Sequence, residues 1–130
     1  MSDKTIAAKL RILPGTPVWV SDAGRAVLLG PLPDGASLVD EPESARVAVV
    51  VADDAAAVRT TLTQHAAALG RADAFWVVYP KGNRADINRD TLWPILGEHG
   101  FRPITQVAVD EVWSALRFRL LRDGEAGFGG

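Results

Sequence analysis

The chain has 130 residues, of which 48% are hydrophobic and 23% charged, with a formal net charge of -2; this is the range of one globular domain and lies well outside that of disordered chains. There is no cysteine, which excludes disulfide frameworks, thiolate metal sites and thiol catalysis. The slightly acidic balance offers no global attraction to phosphate polymers and argues against a protein that coats nucleic acid, and no apolar run approaches the ~18 residues needed to span a bilayer.

The opening MSDKTIAAKL has neither an apolar stretch nor a small-residue cleavage pattern, so no secretory signal is expected and the location expected is cytoplasmic. Ile6, Leu10 and Leu13 recur at helical spacing before Pro14 and Gly15, which predicts a short amphipathic helix closed by a turn. TPVWV is a short strand candidate. Ser21 or Asp22 can cap a brief helical segment in SDAGRAVLLG, PLPDG is turn chemistry, and SLVD is a second short strand.

RVAVVVA, residues 46 to 52, is an unbroken run rich in β-branched residues, the pattern of a strand covered on both faces in a parallel sheet. Asp53 or Asp54 then caps a helix over about residues 54 to 69, with Val58, Leu62, Ala66 and Leu69 on its apolar side and Gly70 as its stop. DAFWVVYPKG follows as the second central strand, at residues 74 to 79. Strand, helix and strand with short connections make a right-handed parallel crossover. After a polar loop, TLWPILGEHG predicts a short helix that Pro94 either opens, in its first turn, or kinks, with Gly100 at its end. FRPITQVAVD and SALRFRLL read as an antiparallel hairpin turning around Glu111 to Trp113. In the last strand Leu116, Phe118 and Leu120 alternate with Arg117 and Arg119, giving one apolar and one basic face.

The expected architecture is a single α/β domain over residues 1 to 122 with a disordered tail at 123 to 130. It is a Rossmann-like three-layer fold, its mixed sheet parallel in the centre and ending in an antiparallel hairpin. The second half resembles the carboxy-terminal half of methyltransferase folds, as in a truncated version of them. No GxGxG loop follows the first strand, so no cofactor is expected by that route. FWVVYPKG, ADINRD and VAVDEVWSALRFR together resemble a family of small bacterial proteins, the domain-of-unknown-function family 3052, across most of the chain including KLRILPG. The matching positions are Trp76, Tyr79, Pro80, Lys81, Asp86, Arg89, Asp90, Asp110, Trp113, Ser114 and Arg117; Asn88 and Trp93-Pro94 depart from the pattern. The resemblance implies the fold and assigns no chemistry.

The candidate anion site is the loop from Lys81 to Asp90. It follows the carboxyl end of a central strand, carries Lys81, Arg84 and Arg89, and opens a helix whose free amides favour anions. Arg117 joins these as an anion-binding candidate, while Tyr79, Asp86, Asp110, Trp113 and Ser114 form a structural or pocket cluster. The competing reading is that the cations pair with Asp86, Asp90 and Asp110 and only fix the loop, with Arg117, Asp110 and Asp86 linking it to the terminal hairpin. Ser114 with Lys81 is the one conceivable nucleophile and base, and a serine beside a hairpin more simply bonds to backbone. His65 and His99 are too far apart for a metal motif. Trp76 reads as core; Trp113 is open to a stacking role. Arg117 and Arg119 face helix carboxylates, or else an acidic partner or nucleic acid. A noncatalytic binding or regulatory module is therefore expected, the alternative being a binding protein or enzyme for a small phosphate or carboxylate metabolite. A small anion, a protein or a second copy of the chain is the expected partner class, with no membrane and with nucleic acid disfavoured.

Overall fold

The computed structural model describes residues 5 to 81 and 87 to 121, apart from the side chain of Arg89; the expected disordered tail, Arg84 and Asp86 lie outside the described residues. In chain order the elements are α1 (Ile6–Lys9), β1 (Pro17–Val20), a 3-10 helix (Ala23–Leu29), β2 (Ser37–Leu38), a 3-10 turn (Pro42–Ser44), β3 (Val47–Val51), α2 (Ala55–Arg71), β4 (Ala74–Pro80), α3 (Arg89–Gly97), β5 (Phe101–Ala108) and β6 (Trp113–Leu120). No described helix is long and apolar enough to cross a membrane.

The six strands form one sheet in the order β2-β1-β3-β4-β6-β5. β3 and β4 are parallel neighbours, with Val49 opposite Trp76, as their unbroken apolar composition requires: all five residues of β3 and all seven of β4 are buried. β6 runs antiparallel between β4 and β5. The terminal strand is thus an interior strand, and the outer edge belongs to β5, where Pro103 and a register shift between Pro103 and Thr105 break the ladder.

Strand alternation divides the buried side chains between two layers. On one face Ala48, Val50, Phe75, Val77, Leu116 and Phe118 pack under α2 and α3. On the other Val47, Val49, Trp76, Val78 and Ala115 pack under α1 and the first 3-10 helix. Trp76 is 1% exposed and donates its indole N–H to the Leu10 carbonyl at 2.9 Å, so α1 is tied to the sheet by a buried polar bond as well as by packing.

Three local expectations are corrected. Helix α1 ends at Lys9 and the chain passes through Arg11 at φ 69, a left-handed conformation that costs a side chain-bearing residue energy. The reversal shifts the phase, burying Ile12 at 1% and leaving Leu13 exposed at 63%. Gly70 lies inside α2, which runs to Arg71; a Cβ there would stand 2.7 Å from the Leu120 Cδ1, so this glycine serves close packing. Of the two places open to Pro94 the first turn is excluded and the proline lies inside α3, because Asn88 and Thr91 form a capping box that starts the helix at Arg89.

Candidate functional site

β1 hands the chain to β2 on one side and, after the return, to β3 on the other. The switch point of the sheet, where open α/β folds bind ligands at strand carboxyl ends, is therefore between β1 and β3 and not at β4. Ser21, just past β1, accepts from the Val51 amide at 2.8 Å and donates to the Val51 carbonyl at 3.5 Å. Asp22 caps the following 3-10 helix through the Gly24 amide. Arg25 pairs with Asp53 at 2.7 Å and Asp22 at 3.6 Å and lies 5.1 Å over the Trp113 ring. The hydrogen bond that Arg25 donates to Asp53, with attraction from both carboxylates, holds the guanidinium above its ordinary pKa against the opposing effect of burial. The face of Trp113 is covered by an arginine of the same chain.

Beside this closure a groove of about 540 Å3 is lined by Trp19, Val39, Asp40, Glu41, Glu43 and His65 among others. The His65 ring meets Trp19 edge-on, with centroids 5.2 Å apart. Asp22, Asp40, Glu41, Asp53 and Asp54 all follow the ends of β1, β2 or β3, so this edge of the sheet is acidic. Among the described residues no group of three His, Asp or Glu side chains is arranged to hold a metal.

Lys81 is half-buried past β4, its amide bonded to the Val112 carbonyl at 2.8 Å. At the start of α3 the Asp90 and Thr91 amides are taken by the Asn88 side chain at 2.9 and 3.0 Å, which occupies donors that an anion there would use. Tyr79 and Ser114 face each other across β4 and β6. Gln106 joins them by donating to both hydroxyl oxygens, at 3.1 and 3.0 Å, and Ser114 in turn donates to the Val107 carbonyl. Ser114 is 3% exposed, so its hydroxyl is held in a strand-to-strand network. Gln106 is the member that sequence reasoning missed; its only signal was a polar residue within the alternation of β5.

Arg117 and Asp110 are not brought together. Asp110 closes the hairpin turn by accepting from the Val112 and Trp113 amides at 2.7 and 2.8 Å. Arg117 sits opposite Trp76, toward the amino ends of the parallel strands, and its Nη2 donates to the Asp73 backbone carbonyl at 3.0 Å. The helix carboxylates expected opposite it are absent among the described residues. A pocket of about 480 Å3 opens here instead, lined by Arg11, Arg46, Asp73, Thr16 and Arg117 among others. Burial, and then repulsion from Arg11, lower the Arg117 pKa from its ordinary value.

Neither a family model nor a curated protein matches the chain. Solved structures do. A protein of the NADB-Rossmann superfamily from Streptococcus agalactiae aligns over 98% of this chain and 72% of its own, with TM-score 0.56 and 10% identity. A candidate tRNA (m1A22) methyltransferase of Streptococcus pneumoniae aligns over 97% and 73%, with TM-score 0.57 and 11% identity. LepI C52A, solved with SAH and a substrate analogue, aligns over 89% of this chain but 39% of its own, with TM-score 0.54 and 11% identity. At such identities the likeness concerns fold alone: the chain has a Rossmann-like α/β fold with a mixed sheet, of a truncated methyltransferase-like form.

Proposed function

We propose that the protein is a noncatalytic ligand-binding module that takes an adenosine-like ligand, without a phosphate, in the groove at the carboxyl ends of β1 and β2. The observation that carries this reading is the groove itself: Asp40 and Glu41 follow β2 directly, beside the Trp19 and His65 rings. A carboxylate about 20 residues past the first strand is what Rossmann crevices use to accept ribose hydroxyl protons, and aromatic rings offer a face or edge to a base. The neighbouring carboxylates repel phosphate, which favours a nucleoside or a thioether-linked nucleoside such as the SAH held by LepI. The Ser21 hydroxyl, which lines the groove, is already hydrogen bonded to the Val51 backbone, which supports binding without turnover.

The test is an NMR titration with adenosine, SAH and adenosine monophosphate, following the amides of residues 39, 40, 41 and 43 and the His65 ring. Saturable shifts are expected with adenosine and SAH, weaker ones with the monophosphate, and loss of binding in Asp40→Asn. Conversion of a bound ligand to product overturns the noncatalytic part. If the response instead falls on amides 81 to 90 with phosphate or small dicarboxylates, and disappears in Lys81→Ala, the Lys81 loop replaces the groove as the site.

A further inference from the structure

Three arginines from distant parts of the chain meet at the edge of the sheet opposite the acidic one. Arg11 follows α1, Arg46 precedes β3 and Arg117 lies in β6. All three line the same pocket of about 480 Å3. Among the described residues none of them makes an ion pair, and the ion pairs present involve Arg25 and Arg59. Asp73 lines the pocket too, yet what it gives Arg117 is its backbone carbonyl.

Such an arrangement is costly by itself. Among the described residues the Arg117 Nε is buried without a hydrogen-bond partner, a condition rare enough in folded proteins to need a reason. Like charge from Arg11 opposes the charged state of Arg117, and Arg11 itself sits on a left-handed backbone that any glycine would occupy with less strain. A buried donor facing no acceptor and like-charge crowding in one pocket are what a preformed anion site presents. Guanidinium groups offer paired donors that match the oxygens of a phosphate. The polarity of the sheet agrees, because carboxylates crowd the other edge.

We propose that the Arg11, Arg46 and Arg117 pocket binds the phosphate group of a small phosphorylated metabolite. The volume is in the range of small-molecule sites and well above what a lone phosphate fills, which points to a phosphomonoester with an organic body over the bare ion. The site is separate from the groove at the carboxyl edge and stands or falls independently of it.

The experiment is a titration of the whole chain with inorganic phosphate, ribose 5-phosphate and sodium chloride, reading the Arg Nε resonances and the amides of residues 46, 73, 74 and 117. Expected are saturable shifts with both phosphates, at least about tenfold tighter for ribose 5-phosphate, and only a linear response to chloride. Arg117→Met and, separately, the exposed Arg46→Met are each expected to weaken binding about tenfold or more, the scale of one charge-assisted hydrogen bond, with Arg46→Lys recovering part of it. Because Arg46 is at the surface, its variants keep the test decisive even if Arg117→Met unfolds. Equal affinity for the two phosphates assigns the pocket to inorganic phosphate and overturns the metabolite. Unsaturable shifts, a chloride response of equal size, or unchanged affinity in Arg46→Met overturn the site.

Discussion

Arg117 should be tolerated by the fold and not needed by it, and replacing it with methionine measures this. The substitution removes the hydrogen bond from Nη2 to the Asp73 carbonyl, and a bond from a charged donor contributes about 1.5 to 3 kcal/mol. It also removes the buried Nε that has no partner among the described residues, whose desolvation costs about 1 to 3 kcal/mol, and relieves repulsion from Arg11. Methionine keeps an unbranched apolar stem against the sheet. The opposing contributions leave unfolding free energy within about 1.5 kcal/mol of the parent, whereas the broken half of a buried ion pair loses about 3 to 5 kcal/mol. The sign with pH follows from the lowered Arg117 pKa: the folded state disfavours the cation relative to the unfolded chain. That penalty is present at every pH below the lowered folded-state value and fades only as pH climbs through it; because an arginine side chain stays protonated in proteins, the difference between variant and parent stays flat around neutrality. Urea unfolding at unchanged m-value reads the difference directly. A loss above about 3 kcal/mol would refute the reasoning and make Arg117 a structural residue.

Trp76→Phe leaves the Leu10 carbonyl without its buried donor and empties part of a well-packed site; a loss of about 2 to 4 kcal/mol is expected, with faster amide exchange in α1 as the specific sign that the helix has come loose. Asp110→Ala removes both hydrogen bonds that close the β5-β6 turn, and about 1 to 2 kcal/mol should go with them; thermal unfolding checks this, and phosphate titration of the same variant should show the arginine pocket unaffected.

Legibility in the sequence followed the range over which each signal acts. RVAVVVA and AFWVVYP were readable as adjacent central strands because a strand covered on both faces has no polar alternation to hide it, and the short crossover through α2 left one handedness. The first helix was misread at Leu13 because the phase break comes from one backbone angle at Arg11, which composition does not encode. The start of α3 was visible in principle, since Asn88 and Thr91 have capping-box spacing, but Pro94 drew the boundary too far along. The pairing of Arg117 with Asp110 failed for a geometric reason: the two share a hairpin, yet Arg117 lies four residues along β6 from Trp113, toward the opposite edge of the sheet. The arginine pocket itself was illegible, because its members lie 35 and 71 positions apart in sequence (46 − 11 and 117 − 46) and only the register Trp76 to Arg117 and the parallel pairing of β3 bring them together. Gln106 left only the faint signal of a polar residue within β5, because the hairpin register that sets it beside Ser114 is not written in composition.

The interior place of β6 has a consequence for how the molecule comes to be. β4 can pair with β3 as soon as both exist, but its other edge has no partner until the chain has been made as far as Leu120. Until then β4 offers an open ladder of amides and carbonyls backed by aromatic and β-branched side chains, which is the kind of edge that recruits foreign strands. Insertion of a late strand between β4 and β5 is a long-range step and the natural candidate for the slow one. The vulnerable period of this protein is thus the interval between synthesis of Pro80 and arrival of the last strand, and a chain cut short before Trp113 would remain in it.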